Sequence, residues 1–254
     1  MTLYHQLTRD NGIARITLNR PKHNVLNIDM MQELTAVLAE LNADAGVKCV
    51  VIAAAGASWC AGVEVLDHRP ELAPDMIRVF DTLLRQIDGL AFPSIAAVSG
   101  ACLGGGMEVA IACDMVVAAR SAVFGQPEIK LGFLPPYAAV RLPRLVGPAK
   151  AIEICTTGRR YGAEAMQQMG IVCDVFDEDT FEQGVSRLVR EIQQASPLIL
   201  RLNKKAVNSH LGLTLSDAQD SVNALFLNQL MKTEDTLEGI RSFEEKRRPA
   251  WKNR

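Results

Sequence analysis

Apolar and polar positions alternate over residues 13–18, Ile-Ala-Arg-Ile-Thr-Leu, directly after the turn signal Asp10-Asn11-Gly12. Such alternation predicts a half-buried strand, which Asn19-Arg20-Pro21 ends. Over residues 28–43 the period changes. Met31, Leu34, Leu38 and Leu41 recur at spacings of three and four, which predicts an amphipathic helix. The run from Val50 to Ala55 is apolar throughout and closed by Gly56, as in a strand covered on both faces. A second helix is predicted over 75–89. Phe92-Pro93-Ser94 then leads to a strand over 95–99, a glycine cluster, a helix near 105–113 and a strand over 115–119. Strand, helix, strand in this rhythm predicts an α/β fold with crossover connections.

Beyond about residue 145 the pattern turns helical, with predicted segments over 147–157, 162–169, 181–195, 198–210, 215–230 and 233–246. Ser196-Pro197 interrupts it, because proline suits the first turn of a new helix and disfavours helix in the residue before it. The expected division is therefore an α/β core over 1–196 and a helical region over 197–254. No internal repeat, low-complexity stretch or Gly/Ser-rich linker is evident.

The 254 residues are 48% hydrophobic and 22% charged, which supports a packed core. The formal net charge of −2 argues against a nucleic-acid partner recognised through a positive surface. That total conceals an asymmetry: residues 241–254 carry +4 and the first 240 carry −6. The six cysteines form no C-x-x-C pair and the four histidines are dispersed, so no metal site is expected. Neither a signal-type apolar region nor a stretch long enough to span a membrane is present, and the expected setting is cytoplasmic.

Three places offer chemistry. Gly104-Gly105-Gly106, between a predicted strand and helix, presents backbone N–H groups and the positive end of a helix dipole to an anion or a developing oxyanion. The spacing fits neither a P-loop nor a dinucleotide fingerprint, and close helix–strand packing explains the glycines equally well. The small residues of Ala57–Gly62, with Val63 and Glu64, follow the buried strand's carboxyl end, where α/β folds gather ligands. A plain turn accounts for them too, and the sequence places no histidine partner for Cys60 as a nucleophile. Glu108 and Glu128 each stand among apolar neighbours. They fit either dipole-complementing carboxylates or a pair held near neutral pKa for acid/base work.

These pieces resemble, in order, the crotonase (enoyl-CoA hydratase/isomerase) family. The matching residues are Asn19-Arg20-Pro21-Lys22, Cys60-Ala61-Gly62, Ala101 with Gly104-Gly105-Gly106 and Glu108, and Gly125-Gln126-Pro127-Glu128-Ile129 with Leu131-Gly132. Leu142-Pro143-Arg144-Leu145-Val146-Gly147 and Glu238-Gly239 with Ser242, Phe243 and Glu245-Lys246-Arg247 continue the match, which covers essentially the whole chain.

The resemblance implies a crotonase-like spiral of ββα units with a helical C-terminal trimerisation region, assembled as a homotrimer or a dimer of trimers. It implies an acyl-CoA thioester substrate, with no metal or redox cofactor and coenzyme A as part of the substrate. An enolate would be held by the backbone N–H groups of Val63 and Gly105, with Glu108 as the base that activates water and Glu128 as the proton donor to carbon. Two glutamates favour water addition over isomerisation, for which one suffices. Lys22, Ala61, Val65, Leu66, Pro136, Tyr137, Phe243 and Lys246 are the implied substrate contacts, the last two often reaching a neighbouring subunit's site. Positive charge there would help hold phosphates, although cations completing a helix dipole explain the same residues.

Two departures from the family pattern matter. Leu134-Pro135-Pro136-Tyr137 replaces the usual glycine-rich stretch after the second glutamate, so Pro136 removes an N–H and Tyr137 adds bulk and a hydroxyl. A Pro-Pro loop there is similar to the cyclic dienoyl-CoA hydratases, which add water in a 1,4 sense to cyclohexa-1,5-diene-1-carbonyl-CoA. Glu64-Val65-Leu66 stands where a lysine is common. His68 is placed either at the acyl pocket or, as the stronger expectation, in an exposed loop, and Glu64 and Asp67 are expected in solvent. Met76, Ile77 and Phe80 should line the acyl pocket or core, and Trp251 should pack a terminus. The rival readings are a family isomerase or other thioester-processing enzyme, and a catalytically silent binding module.

Overall fold

The computed structural model describes residues 4–254. It begins with a hairpin of β1 (His5–Asp10) and β2 (Ile13–Leu18), closed by Asn11 and Gly12, both at positive φ as a tight two-residue turn requires. Helix α1 (Ile28–Ala43) follows, its N-cap Asn27 accepting the Met30 N–H at 3.1 Å and its apolar stripe from Met30 to Leu41 buried.

Three turns of one pattern come next: β3 (Cys49–Ala54), β4 (Ser58–Cys60) and α2 (Ala73–Asp88), then β5 (Ser94–Val98), β6 (Ala101–Leu103) and α3 (Gly105–Ala112), then β7 (Met115–Ala119), β8 (Val123–Gly125) and α4 (Pro136–Val146). Helix α5 (Pro148–Thr157), β9 (Arg160–Gly162), α6 (Ala163–Gln168), β10 (Asp174–Phe176) and α7 (Phe181–Gln193) complete the α/β part. The first strand of each turn joins a six-stranded sheet of order β1-β2-β3-β5-β7-β10, parallel from β2 onward. The second joins a four-stranded sheet of order β4-β6-β8-β9, in which the first three strands are parallel. This is the ββα spiral that the resemblance implies.

The apolar run of β3 divides by the two-residue period of a strand. Val50 and Ile52 enter the main core with α1 and α2, while Cys49, Val51 and Ala53 enter a second cluster closed by Phe181 and Val185 of α7. Trp59 of β4 is fully buried, and its indole N–H donates to the Ile52 carbonyl at 3.2 Å, tying the small sheet to the large one.

Helix α8 (Pro197–Asn208) starts at Pro197, with Ser196 accepting the Ile199 N–H at 3.2 Å. Helices α9 (Leu215–Asn228) and α10 (Glu234–Glu244) end the chain. Besides the short strands β8, β9 and β10, which the sequence pattern does not predict, two segments take a different form from the one expected. Residues 58–60, expected in a turn, form β4, and the Pro-Pro stretch expected in a loop opens α4 with Pro135 as N-cap and Pro136 in the first turn. A first-turn residue has no N–H to contribute to the helix, so Pro136 sits there without loss. No helix among the described residues is long and apolar enough to cross a membrane.

Candidate active site

The carboxyl ends of the parallel strands β4, β6 and β8 release the three segments that build the site. The first is Ala61-Gly62-Val63. Leu26 pins it, donating its N–H to the Gly62 carbonyl at 2.8 Å and accepting the Glu64 N–H at 2.7 Å. The Val63 N–H between these bonds has no acceptor among the described residues.

The second segment is the glycine cluster. A Cβ at Gly105 would lie 2.6 Å from Val63 Cγ2 and 3.4 Å from the Val63 nitrogen, and one at Gly106 would lie 2.3 Å from the Cys60 carbonyl oxygen. The glycines therefore let two backbone segments touch. Gly105 is also the first residue of α3, so its N–H lies outside the helix's own hydrogen bonding and close to that of Val63. The close packing expected of these glycines is present, and it brings two backbone N–H groups without helical or strand partners to one place.

The third segment carries Glu128. A Cβ at Gly104, where φ is 54°, would lie 2.8 Å from Glu128 Oε1, so the carboxyl group rests directly on this turn. Gln126 is fully buried; with its amide nitrogen toward Glu128 it donates to both carboxyl oxygens, at 3.0 and 3.1 Å.

Glu108, in the first turn of α3, is 2% exposed. Its Oε1 accepts the N–H groups of Tyr137 and Ala138, each at 2.8 Å, from the first turn of α4. Burial pushes its pKa up to about 7 and the Glu128 charge adds to this, against the pull of the two N–H donors. Burial also raises Glu128 to about 7.

Both carboxyl groups, Val63 and Gly105 line one cavity of about 310 Å³. Ala61, Val65 and Pro136 line it as well, and Met76, Ile77 and Phe80 form its α2 wall. Leu66 is 56% exposed and lies outside the lining. Tyr137 also lies outside, half-buried with its ring against the core, and contributes its backbone N–H to Glu108. Lys22, Phe243 and Lys246 are exposed and outside the cavity within this chain.

His68 lines the cavity, where its ring meets Phe133 at 4.8 Å between centroids. Two other expectations are corrected. Glu64 is half-buried and faces Arg20 at 3.4 Å, while Asp67 accepts the Ile28 N–H at 3.3 Å. Much of the basic tail is neutralised locally: Arg247 pairs with Glu238 and Glu245, and Lys252 and Arg254 pair with Glu234. Phe133, Leu134 and Gln126 carry no mark of a site residue in the sequence; Gln126 alone sits inside a recognised motif, two residues before Glu128. Cys60 is buried and its thiol is pushed up to about 12, which disfavours a nucleophilic role. Trp251 does pack the terminus, donating to the Gln194 carbonyl at 2.6 Å. No cluster of three or more metal-ligating side chains occurs among the described residues.

Comparison with known proteins places these features in context. A family model described as enoyl-CoA hydratase/isomerase matches residues 8–254. A cyclohexa-1,5-dienecarbonyl-CoA hydratase of Thauera aromatica is 33% identical over 248 residues, covering 98% of this chain and 96% of the relative. A probable enoyl-CoA hydratase of Mycobacterium bovis is 35% identical over 249 residues, covering 97% and 96%. The crystal structure of an enoyl-CoA hydratase from Bacillus anthracis superposes with a TM-score of 0.94 at 29% identity, covering 99% of this chain and all of that one.

Proposed function

The chain belongs to the enoyl-CoA hydratase/isomerase family, and on that basis we propose that it adds water to an α,β-unsaturated acyl-CoA thioester. The observation that carries the reading is the meeting of two neutral-pKa glutamates and two adjacent backbone N–H groups in one cavity. An isomerase needs only one carboxyl group, and a silent binding module needs neither.

In the proposed reaction Glu108, as carboxylate, takes a proton from water while the water oxygen bonds to Cβ. The C=C electrons move through Cα to the thioester oxygen, and the N–H groups of Val63 and Gly105 stabilise the resulting enolate; one such donor is worth about 3 kcal/mol in a transition state. Glu128, as carboxylic acid, delivers its proton to Cα of a simple enoyl group, or in the 1,4 sense to the far end of the conjugated diene of a cyclic dienoyl group, and the carbonyl re-forms. The two N–H donors on Glu108 Oε1 favour its ionised form, which supports this division of roles. With both pKa values raised by burial to about 7, the charged and neutral forms of each carboxyl group are both accessible at neutral pH. Neither a metal nor a redox group enters these steps.

For the acyl group we propose a cyclic dienoyl thioester. The name of the Thauera relative and the Pro135-Pro136 start of α4 support it. A cavity of about 310 Å³ has room for a six-membered ring, given that about 150 Å³ of apolar space takes up benzene. We also propose a homotrimer or dimer of trimers, supported by exposed apolar side chains on the C-terminal helices such as Leu215, Leu227 and Phe243. Phe243 and Lys246 would then serve a neighbour's coenzyme A site.

The test is a spectrophotometric assay of water addition to crotonyl-CoA and to cyclohexa-1,5-diene-1-carbonyl-CoA. Hydration of the cyclic substrate at the higher kcat/KM is the expected result. Hydration of crotonyl-CoA alone overturns the substrate, and binding of both without turnover overturns the hydratase reading.

A further inference from the structure

His68 is polar in a wall that is otherwise apolar. Apart from Glu108, Glu128 and Lys130, it is the sole ionisable side chain lining the cavity among the described residues. Two contacts fix it. Nδ1 lies 3.0 Å from the Glu64 carbonyl oxygen, and a carbonyl only accepts, so Nδ1 carries the proton. The ring rests against Phe133, with 4.8 Å between centroids and 37° between planes. Nε2 is then the acceptor of the neutral ring, and it has no partner among the described residues.

We infer that His68 is a specificity-determining residue whose Nε2 accepts a hydrogen bond from a hydroxyl on the bound acyl group. The inference rests on the acyl-CoA reading above. It follows from what each kind of acyl group does to that nitrogen. A plain alkyl chain displaces water from Nε2 and offers nothing in return, so the acceptor is left unpaired in an apolar wall. A hydroxylated chain or ring replaces the lost water bond. A site with a fixed acceptor discriminates against the analogue lacking the donor more strongly than an apolar pocket discriminates by size. The geometry is set before substrate arrives: the Glu64 carbonyl selects the tautomer and Phe133 holds the ring plane, so little ordering remains to oppose binding. The residue lies four positions beyond Glu64, in the short helical turn Val65–His68 that leaves the Val63 segment, so the acceptor and the oxyanion donor are parts of one local structure.

The test uses the full chain and a set of 2-enoyl-CoA thioesters hydroxylated at C4, C5 or C6, together with ring-hydroxylated cyclohexa-1,5-diene-1-carbonyl-CoA, each against its unsubstituted parent. The readout is the ratio of kcat/KM values within each pair, which is independent of the folded fraction of a preparation. For the wild type, at least one position should favour the hydroxylated member by about tenfold, the equivalent of one hydrogen bond of ordinary strength. His68→Leu should bring that ratio to about one, chiefly through KM, and His68→Gln, which restores an acceptor, should recover part of it. A wild-type ratio near one at every position, or a preference that survives His68→Leu, overturns the inference. If the wild type hydrates none of the parents, nor crotonyl-CoA, the underlying hydratase reading fails instead.

Discussion

Glu108 Oε1 accepts the Tyr137 N–H at 2.8 Å, joining a buried carboxyl group on one helix to the first turn of the next. Ala138 adds a second N–H at the same distance. A carboxylate held by a helix N-terminus is oriented and favoured in its charged form, which suits a base. Glu108→Gln keeps the shape and removes the proton acceptor, and Glu128→Gln removes the proton donor. Each should lower kcat about 10²-fold or more. Affinity for a non-reactive acyl-CoA, measured by calorimetry, should stay within a few-fold. Near-wild-type turnover by either variant contradicts the two-glutamate mechanism.

The pH dependence follows from the same pair. In the proposed reaction Glu108 works ionised, so activity should fall as pH drops below about 7, and Glu128 works protonated, so activity should fall as pH rises above about 7. The expected kcat/KM profile is a bell with its maximum near neutrality. A profile flat from pH 5 to 9 would remove the carboxyl pair from the rate-determining step.

Stability moves in the opposite sense to what a paired carboxylate produces. The folded pKa of Glu108 is raised from 4.5 to about 7, so its contribution is fully present below pH 4.5 and is lost as pH rises through 7. At pH 8 the ionised, buried group costs about 3 kcal/mol at most. Glu108→Gln should therefore raise the Tm at pH 8 and change it little at pH 4, by differential scanning calorimetry at both values. An equal effect at both would mean that the carboxyl group is not desolvated.

How much of this is readable from the sequence depends on element length and on local chemistry. Helix α1 is legible residue for residue, because its apolar stripe runs four turns between Asn27 and Asp44. Strands β8, β9 and β10 are not, since three residues show no periodicity. The Pro-Pro stretch looks like a loop because proline punctuates chains; only the helix built behind Pro136 shows it filling a first turn. Glu108 and Glu128 are legible as carboxyls in apolar sequence. His68 is legible only as one of two alternatives, because the contacts that turn it into the cavity come from Phe133, distant in sequence, and from a backbone carbonyl.

The contact between the glycine cluster and the Val63 segment makes a further prediction. A Cβ at Gly106 meets the Cys60 carbonyl oxygen at 2.3 Å, and backbone cannot yield as a side-chain tip can. Gly106→Ala should push this segment outward, separate the two N–H donors and lower kcat about 10²-fold. Gly162 has negative φ, and a Cβ added there would meet nothing within 4 Å, so Gly162→Ala serves as the control with little effect. Both are read by steady-state kinetics with Tm in parallel. Equal activity of the two variants contradicts the oxyanion role of this contact.

Asp235, 1% exposed near the start of α10, accepts the Lys252 N–H at 2.7 Å, the Asn253 N–H at 3.0 Å and the Ser196 hydroxyl. Its own N–H donates to the Arg254 carbonyl at 3.1 Å. One carboxylate thus ties the chain end to the start of α8, whose N-cap is that same Ser196. Removing it leaves the buried Ser196 hydroxyl and two part-buried backbone N–H groups without their acceptor. Asp235→Ala should destabilise the fold by about 3 kcal/mol or more. Asp235→Asn, which keeps an acceptor oxygen, should cost less. Urea unfolding followed by circular dichroism measures both. The loss should be accompanied by faster proteolysis after Lys252, because the segment that Trp251 and Asn253 pin to Gln194 and Ala45 would be released. An Asp235→Ala variant as stable as wild type would mean that these bonds form only at the surface of an already folded chain.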